Sequence, residues 1–294
     1  ARTIHRALRP PGLNHPNDAM PELPEVESVR RALTPVVGVP ITGVRVARRD
    51  MVRDDLARRR GRLDPAALLA HDRIASTARR GKQLALVGGS GRVVLVHLGM
   101  SGQVQVLDPG ASAGTHAHVL WTLADGRRVV FRDPRRFGGV WLLADQAALE
   151  SRWSELGPDG LGITGPQLAS VLGASQRAVK AALLDQAAVA GVGNIYADES
   201  LFAASIAPTR PCASLGQADW DRLAAAVRAV LAAAVEARGS TLRDYRLPDG
   251  SAGGAALTHR VYARGGLPCP VCGGPISRVI LAQRSTCWCP VCQH

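Results

Sequence analysis

The sequence predicts an α+β fold built from several domains, and three observations support this prediction. Between residues 41 and 143, short runs of β-branched residues alternate with turn signals, a pattern typical of a β-sandwich or barrel. After residue 145 the apolar residues recur at helical spacing instead. Near the C-terminus, two Cys-x-x-Cys pairs have the spacing of a four-cysteine zinc site. A chain of 294 residues has room for two or three such domains.

The N-terminal domain is predicted over residues 20–145, and it begins with a helix. Pro24 suits the first turn of this helix, which should end near Leu33. The charged segment 48–62 is expected to form an exposed loop or an irregular edge, and Asp64 should cap a short helix after it. Strands are predicted over 41–47, 74–78, 83–87, 93–98, 104–107, 119–123, 128–132 and 140–143.

A helical domain is predicted over 146–258, after a linker near residue 145. Within it the segment 248–256 is rich in Gly and Ala and lacks periodicity, so we expect a mobile loop there. Helices are predicted over 146–156, from 164 onward, and over 176–185, 195–204 and 218–238. The last domain, over 259–294, contains the cysteine pairs.

The net charge of +12 predicts a polyanionic partner, with nucleic acid first and an anionic membrane surface second. Arginine strongly outnumbers lysine, as it also does in proteins encoded by GC-rich genomes. A generally basic proteome is therefore the alternative explanation of the charge. The sequence has no apolar run near the roughly 20 residues that a membrane helix needs. We therefore expect no membrane helix, and a nucleic acid rather than a membrane as the partner.

The four paired cysteines are predicted to bind one structural zinc ion. Each Cys-x-x-Cys pair brings two thiolates to one tetrahedral Zn²⁺, and four thiolates leave no open position for catalysis. Redox-active pairs are the alternative, but two pairs at this spacing are hard to explain in that way. Cys287 is a competing ligand that we take to be a free thiol, and the four sulfurs leave no need for His259 or His294. The ligands are then Cys269, Cys272, Cys289 and Cys292.

The segment Met20-Pro21-Glu22-Leu23-Pro24-Glu25 carries the strongest chemical signal. If Met20 is removed, Pro21 presents a secondary amine beside the carboxyl group of Glu22. A neutral amine can attack a sugar C1′ and form a Schiff base, and a neighbouring carboxyl group can supply acid and base catalysis. The alternative is that the segment only starts a helix.

Residues 1–19 lack the continuous apolar segment of a secretory signal. We expect them to be an incorrectly assigned start, a remnant or a removable leader. A genuine extension is the alternative, and it would block amine chemistry at Pro21. Without a signal sequence, the unevenly spaced cysteines favour a reducing cytoplasm over a disulfide framework.

Five separated motifs together resemble the formamidopyrimidine-DNA glycosylase family of bacterial repair enzymes. They are MPELPEVE from Met20, HLGMSG from His97, DPRRFGG from Asp133, GVGNIYADESLF from Gly191, and the cysteine-rich end with QRSTCWCPVCQ. The resemblance runs from Met20 to the C-terminus. It implies an N-terminal β-sandwich with a catalytic helix, a helix–two-turn–helix domain and a C-terminal zinc-finger β-hairpin.

The resemblance also implies roles for individual residues. Pro21 is expected to be the nucleophile and Glu22 the acid/base residue that helps to open the deoxyribose. Lys82 is expected to contact DNA near the lesion and Arg284 to grip the phosphates that flank it, and both are counted among the catalytic residues. The resemblance further implies phosphate contacts from Asn194 and Lys180. His116 and His118 could add phosphate contacts, and the alternative for both is that they pack within a sheet.

Met100, Arg135 and Phe137 resemble the residues that the family inserts into DNA. Chemistry on a paired base requires it to be flipped out, and apolar wedges can fill the space left in the stack. The guanidinium of Arg135 could pair with the orphaned base, ideally cytosine. The alternatives are that Met100 and Phe137 belong to the core and that Arg136 faces the DNA instead.

The implied reaction is excision of oxidised purines from double-stranded DNA, followed by β- and δ-elimination at the abasic site. We expect a monomer with one zinc ion that works in the bacterial cytoplasm at the nucleoid. The predicted loop 248–260 is poor in aromatic residues, and Ala263 stands where the family usually has glycine, so base selectivity is expected to differ.

Three other functions fit parts of the sequence. An endonuclease VIII-like enzyme would excise oxidised pyrimidines with similar chemistry. A non-catalytic protein that binds damaged DNA would result if an N-terminal extension blocked Pro21. An RNA-binding zinc ribbon is a weaker alternative, since it leaves the stranded N-terminal half unexplained.

Overall fold

The computed structural model describes residues 20–54, 64–240 and 253–294. Within these ranges the helices are α1 (Leu23–Ala32), α2 (Gln146–Trp153), α3 (Gly165–Leu172), α4 (Val179–Leu183), α5 (Asn194–Ala203) and α6 (Gln217–Glu236). The strands are β1 (Ile41–Val46), β2 (Val52–Asp54), β3 (Ile74–Arg80), β4 (Gln83–Gly88), β5 (Val93–His97), β6 (Gln103–Leu107), β7 (Ala117–Leu123), β8 (Arg128–Arg132), β9 (Gly139–Leu143), β10 (Ser277–Leu281) and β11 (Arg284–Trp288). No helix in the described ranges combines the length and apolar character needed to cross a bilayer.

The N-terminal domain is a sandwich of two sheets. One sheet has the strand order β1-β7-β8-β6 and the other has the order β2-β9-β5-β4-β3. Their inner faces share one apolar core that includes Leu84, Val96, Trp121 and Phe131, because alternate residues of a strand point to the same face. The predicted sandwich is therefore confirmed, and within it β3 with β4 and β7 with β8 form antiparallel pairs.

Helix α1 lies between the two large domains. Its apolar residues Val26, Val29 and Leu33 pack in the sandwich core, whereas Leu23 belongs to the core of the helical domain. The Leu23 amide also donates to the carbonyl oxygen of Gly191 at 3.1 Å. One short helix thus presents the residues before it, Pro21 and Glu22, to both domains at once.

The helical domain is built around α6, which packs against α3 and α5. Trp220 and Tyr196 are fully buried there. Helix α4 is shorter than predicted, because the residues before it pair with a neighbouring segment: the Cys212 amide donates to Arg177 O at 3.0 Å.

Helix α2 differs from the prediction in its location. Its buried residue Leu149 packs with Ala85, Leu95 and Leu143 of the sandwich. This helix, which the sequence assigned to the helical domain, therefore lies on the outer face of the β-sheet.

The C-terminal module is a two-stranded antiparallel hairpin, β10 with β11. Its turn residues Ala282 and Gln283 have φ values of 47° and 62°, which is the geometry of a two-residue type I′ turn. Phe202, Val261 and Ile276 form a small core with the cysteines at its base. The predicted zinc-finger hairpin is confirmed as an architecture.

Candidate active site and DNA-binding surface

The carboxylate of Glu22 is held at the amino end of α5. It accepts hydrogen bonds from the amides of Gly193 at 2.6 Å and Ile195 at 2.8 Å. A side chain at position 193 would meet this carboxylate, since a Cβ there would lie 2.4 Å from Glu22 Cδ. The glycine-rich segment before α5 therefore lets a carboxylate from the first domain reach free amides of the second.

Glu22 is only 2% exposed, and this burial raises its pKa to about 7. The positive charge of Lys82 and the amide hydrogen bonds oppose the shift, and the charge of Glu25 adds to it. A carboxyl group with a pKa near 7 is present in both protonation states at neutral pH. It is therefore suited to give and to accept a proton.

Glu25 connects the backbone of Glu22 to a buried polar network. One oxygen of Glu25 accepts from the Glu22 amide at 2.8 Å, and the other accepts from the Tyr196 hydroxyl at 2.6 Å and the Ser240 amide at 2.7 Å. Ser240 Oγ in turn lies 3.0 Å from His259 Nε2. The sequence analysis assigned Glu25 only to the helix start, because its partners come from distant segments. The buried hydroxyl of Tyr196, which needs a partner, was the available signal.

Pro21 is buried directly before Glu22. In the chain as described, its nitrogen is joined to Met20 in a peptide bond, whereas amine chemistry requires it to be the terminal residue. Predicted nucleophile and predicted acid thus occupy adjacent positions, and the acid is fixed from the second domain.

Lys82 lies in the turn that joins β3 to β4, and this turn is anchored to the second domain. Asp159 accepts from Arg79 Nη1 at 2.7 Å and from the Gly81 amide at 2.9 Å. Burial lowers the pKa of Lys82, the nearby charge of Glu22 opposes this, and the like charge of Arg284 adds to it. Three predicted site residues, Glu22, Lys82 and Arg284, are therefore electrostatic neighbours.

Arg284 begins strand β11, and Asn194 begins α5 beside that strand. Asn194 Nδ2 donates to the carbonyl oxygen of Ser285 at 3.0 Å. Its Oδ1 is buried without a hydrogen-bond partner within the described ranges. The structure thus brings the predicted phosphate-binding residues Asn194 and Arg284 together.

Lys180 disagrees with its predicted contact with the DNA backbone, because its side chain is fully buried. Its ammonium group lies 2.7 Å from Asp198 Oδ1 and donates to Ser285 O and Thr286 Oγ1. An ammonium that is saturated in this way does not reach DNA. The helical pattern placed Lys180 on α4 but could not show which partner that face meets.

Arg135 and Phe137 are exposed on the loop between β8 and β9, as predicted. The guanidinium carbon of Arg135 lies 5.2 Å from the centre of the Phe137 ring. The loop is held from inside by Asp133, whose carboxylate accepts from Ser101 Oγ at 2.5 Å and from the Gly138 amide at 2.7 Å. These two side chains are therefore presented on a braced loop.

Met100 differs from the prediction, since it is only 5% exposed. Its side chain lies inside the protein, as in the alternative that Met100 belongs to the core. Insertion into DNA would require its side chain to turn outward. Met100 lies in the adjacent loop, which also supplies Ser101.

His116 and His118 differ in their exposure to solvent. His116 is exposed at a turn with φ of 63°, so it stays a candidate for a phosphate contact. His118 is buried, and its Nε2 lies 2.8 Å from the carbonyl oxygen of Asp133. His118 is therefore a sheet-packing residue. Arg136, the alternative to Arg135, contacts Asp50 at 3.4 Å.

The four predicted zinc ligands form one cluster, with all their sulfur atoms within 4.8 Å of one another. The Cys269–Cys292 and Cys272–Cys289 sulfur distances are 3.9 and 3.5 Å. Four sulfurs at about 2.3 Å from a tetrahedral zinc lie about 3.8 Å apart, so the cluster fits this ion. Cys287 is buried outside the cluster, in agreement with its predicted role as a free thiol.

The predicted loop 248–260 is described only from residue 253, and residues 241–252 lie outside the described ranges. The two flanking ends meet, because Ser240 and Gly254 form a β-bridge. Residues 1–19 also lie outside the described ranges.

Three family models match consecutive parts of the chain. The formamidopyrimidine-DNA glycosylase N-terminal domain matches residues 20–140, and the H2TH domain of the same glycosylase matches residues 156–246. A zinc finger found in FPG and IleRS matches residues 266–294. The predicted limits at residues 145 and 258 fall between these matches and stay predictions.

Curated relatives match over nearly their full length. The chain is 45% identical over 285 residues to the formamidopyrimidine-DNA glycosylase of Laribacter hongkongensis, covering 94% of this chain and all of that protein. It is 41% identical over 295 residues to the enzyme of Rhodopseudomonas palustris, covering 93% of this chain and all of that protein.

Solved structures agree with these relatives. The MutM (Fpg) protein of Thermus thermophilus has a TM-score of 0.81 at 42% identity, over 93% of this chain and 98% of that one. A Lactococcus lactis Fpg mutant in complex with Fapy-dG-containing DNA has a TM-score of 0.82 at 30% identity, over 93% of this chain and 100% of that one. The chain therefore belongs to the formamidopyrimidine-DNA glycosylase family of base-excision repair enzymes.

Proposed function

We propose that this glycosylase excises oxidised purines, 8-oxoguanine and formamidopyrimidines, from duplex DNA and then cleaves the abasic site. The observation that carries the proposal is the placement of Glu22, a buried carboxyl group with a pKa of about 7 next to Pro21. An acid of this strength beside an amine is what base displacement and sugar-ring opening require. The Lactococcus lactis neighbour, solved with Fapy-dG-containing DNA, supports the class of substrate.

The reaction starts at the amine of Pro21. Its lone pair attacks C1′, and the bond between C1′ and the base breaks. The base leaves with that electron pair and takes up the proton that the Pro21 nitrogen gives up. Glu22 gives a proton to O4′ as the C1′–O4′ bond breaks, which leaves an open sugar joined to Pro21 as an iminium ion. Loss of a C2′ proton then expels the 3′ phosphate, and a second elimination expels the 5′ phosphate.

The amine must be free for this chemistry, so we propose that the active form begins at Pro21. Removal of Met20 and any residues before it would provide that terminus. The N-terminal family model begins at residue 20, which supports this start.

Cationic and wedge-forming residues would hold the DNA over this site. Arg284 and Asn194 would bind a phosphate next to the lesion, and Lys82, whose charge acts on Glu22, would contact the DNA near the lesion. Phe137 would fill the gap left by the flipped base, while Arg135 would pair with the orphaned base, preferably cytosine. His116 would add an outer phosphate contact.

The zinc ion would be structural in this scheme, because the four cysteine sulfurs would fill all four of its coordination positions. When bound, it would fix the base of the hairpin that carries Arg284. We further propose a monomer that acts on the bacterial nucleoid in the cytoplasm, since one chain contains every residue of the scheme.

A panel of duplexes tests this proposal on protein that begins at Pro21. The panel contains 8-oxoguanine opposite each of the four bases, formamidopyrimidine opposite cytosine, thymine glycol and an abasic site. We expect the 8-oxoguanine·cytosine and formamidopyrimidine duplexes to be cut fastest among the base lesions. Preference for thymine glycol would instead assign the endonuclease VIII-like activity, and no cutting of any duplex would support the non-catalytic DNA-binding alternative.

A further inference from the structure

The buried ion pair between Lys180 and Asp198 is not used by the chemistry proposed above. Both side chains are at most 1% exposed, and their charged atoms lie 2.7 Å apart. Lys180 comes from α4 and Asp198 from α5, so the pair spans two elements of the helical domain.

Both members of the pair also bond to the zinc hairpin. Lys180 Nζ donates to the carbonyl oxygen of Ser285 at 2.9 Å and to Thr286 Oγ1 at 2.8 Å. Asp198 Oδ2 accepts from the Cys287 amide at 2.9 Å. Three consecutive residues of β11 are therefore bonded to one ion pair, immediately after Arg284.

Stability alone does not account for this arrangement. A buried ion pair pays a large desolvation penalty, and apolar residues of similar size often stabilise a fold as well or better. Apolar contacts have no preferred direction. Hydrogen bonds have preferred lengths and angles, so bonds to particular backbone atoms restrict where a strand can lie. The pair is thus suited to setting where the hairpin lies.

The position of β11 matters for the proposed phosphate site. Ser285 O accepts from both Lys180 and Asn194, so the same peptide unit is fixed from two sides. Arg284 is the residue before Ser285. Its side chain is long, so the direction in which it extends depends on the position of the backbone of β11.

We propose that Lys180 and Asp198 are positioning residues that hold strand β11 against the helical domain, so that Arg284 and Asn194 address the same phosphate. This inference rests on the proposed function, since it assigns the pair to the phosphate grip of that site. It replaces a direct DNA contact by Lys180 with an indirect one. Neither residue touches DNA, and both act through Arg284.

A double-mutant cycle with Arg284 tests the inference. The probe is a duplex containing a tetrahydrofuran abasic analogue, and the zinc-loaded full chain beginning at Pro21 is measured as wild type, Asp198→Asn, Arg284→Ala and the combination. We expect each single variant to bind about tenfold more weakly, the size of one lost contact with the nucleic acid. The double variant should bind no more weakly than Arg284→Ala, within about twofold.

The salt dependence gives a second readout that general destabilisation would not produce. A plot of log Kd against log salt concentration should lose about one unit of slope in Asp198→Asn, because one phosphate contact is lost. The slope should be the same in Arg284→Ala and in the double variant. Glu236→Gln, which neutralises an exposed carboxylate on α6, is the matched control and should leave affinity unchanged.

A second variant covers the case in which Asp198→Asn fails to fold. Lys180→Met/Asp198→Leu removes both charges together, so no unpaired charge is left in the interior. We expect it to keep one zinc ion per chain and a melting temperature near that of the wild type, yet to bind the probe about tenfold more weakly. Wild-type affinity in this variant would overturn the inference.

The outcomes separate the inference from the function on which it rests. If the effects of Asp198→Asn and Arg284→Ala multiply, Lys180 and Asp198 do not act through Arg284 and the inference fails alone. If the wild type binds the analogue no better than undamaged duplex, the proposed function fails, and the inference fails with it.

Discussion

The Glu22 carboxylate accepts a hydrogen bond from the amide of Ile195 at 2.8 Å, across 173 positions of the chain. The acid that the first domain supplies is therefore oriented by the helical domain. Neither domain alone can build the site. The chemistry proposed at Pro21 would thus depend on the packing between the two domains, in which Leu23 inserts into the second core.

Replacing Glu22 by Gln should abolish base excision while leaving DNA binding in place. The amide oxygen can still accept one of the two hydrogen bonds that Gly193 and Ile195 donate to the carboxylate, but the side chain cannot give a proton to O4′. We expect base release from the 8-oxoguanine·cytosine duplex to slow by about 10²–10⁴-fold in single-turnover assays. The dissociation constant for the tetrahydrofuran duplex should stay within about threefold, and parallel losses in both would contradict the role.

The same substitution should change how stability depends on pH. Folding raises the pKa of Glu22 from 4.5 to about 7, so the folded protein binds more protons than the unfolded chain between these values. The wild type should therefore lose up to about 3 kcal/mol as the pH rises through this window, fully expressed above pH 7.

Glu22→Gln lacks this titration, so its stability relative to the wild type should improve from pH 5 to pH 8. Thermal melting at both pH values measures the difference. A gap that stays constant between the two would show that the carboxyl group has an ordinary pKa.

Substitution of a clustered cysteine should reduce zinc binding, whereas substitution of Cys287, which lies in the same hairpin, should not. Cys272→Ser removes a ligand, and we expect less than one zinc ion per chain and at least tenfold weaker binding of abasic duplex, since the hairpin carries Arg284. Cys287→Ser is the matched control, because Cys287 lies outside the cluster. Metal analysis after dialysis measures both. Equal zinc loss in the control would contradict the ligand assignment.

Ala263 is an exposed non-glycine residue with φ of 59°, a conformation that glycine adopts without a Cβ penalty. Ala263→Gly should therefore raise the melting temperature, by an amount that corresponds to about 1 kcal/mol. Ala225→Gly, at an exposed position of α6, is the control and should destabilise by a similar amount. A lower melting temperature for Ala263→Gly would show that this backbone is not strained.

Patterns within short segments predicted most of the architecture. Alternating apolar residues predicted the strands of the sandwich, since one face of each packs in the core that contains Trp121 and Phe131. The cysteine spacing predicted the zinc cluster for a similar reason, because the ligands of each pair are close in sequence. The adjacency of Pro21 and Glu22 also needed no tertiary information.

Features that depend on distant partners could not be predicted in this way. Lysine is usually a surface residue, and only the contacts of Lys180 with Asp198 and β11 show that this one is buried. Met100 has the size of a wedge, yet its side chain is buried in the protein. The role of Glu25 likewise depends on Tyr196 and Ser240, which are far away in sequence.

Borohydride trapping tests the central claim, a Schiff base at Pro21, most directly. Protein that begins at Pro21 is mixed with the 8-oxoguanine·cytosine duplex and sodium borohydride, and the cross-linked peptide is identified by mass spectrometry. We expect a reduced adduct on the Pro21 nitrogen. An adduct on Lys82 instead, or base release without any adduct, would contradict it.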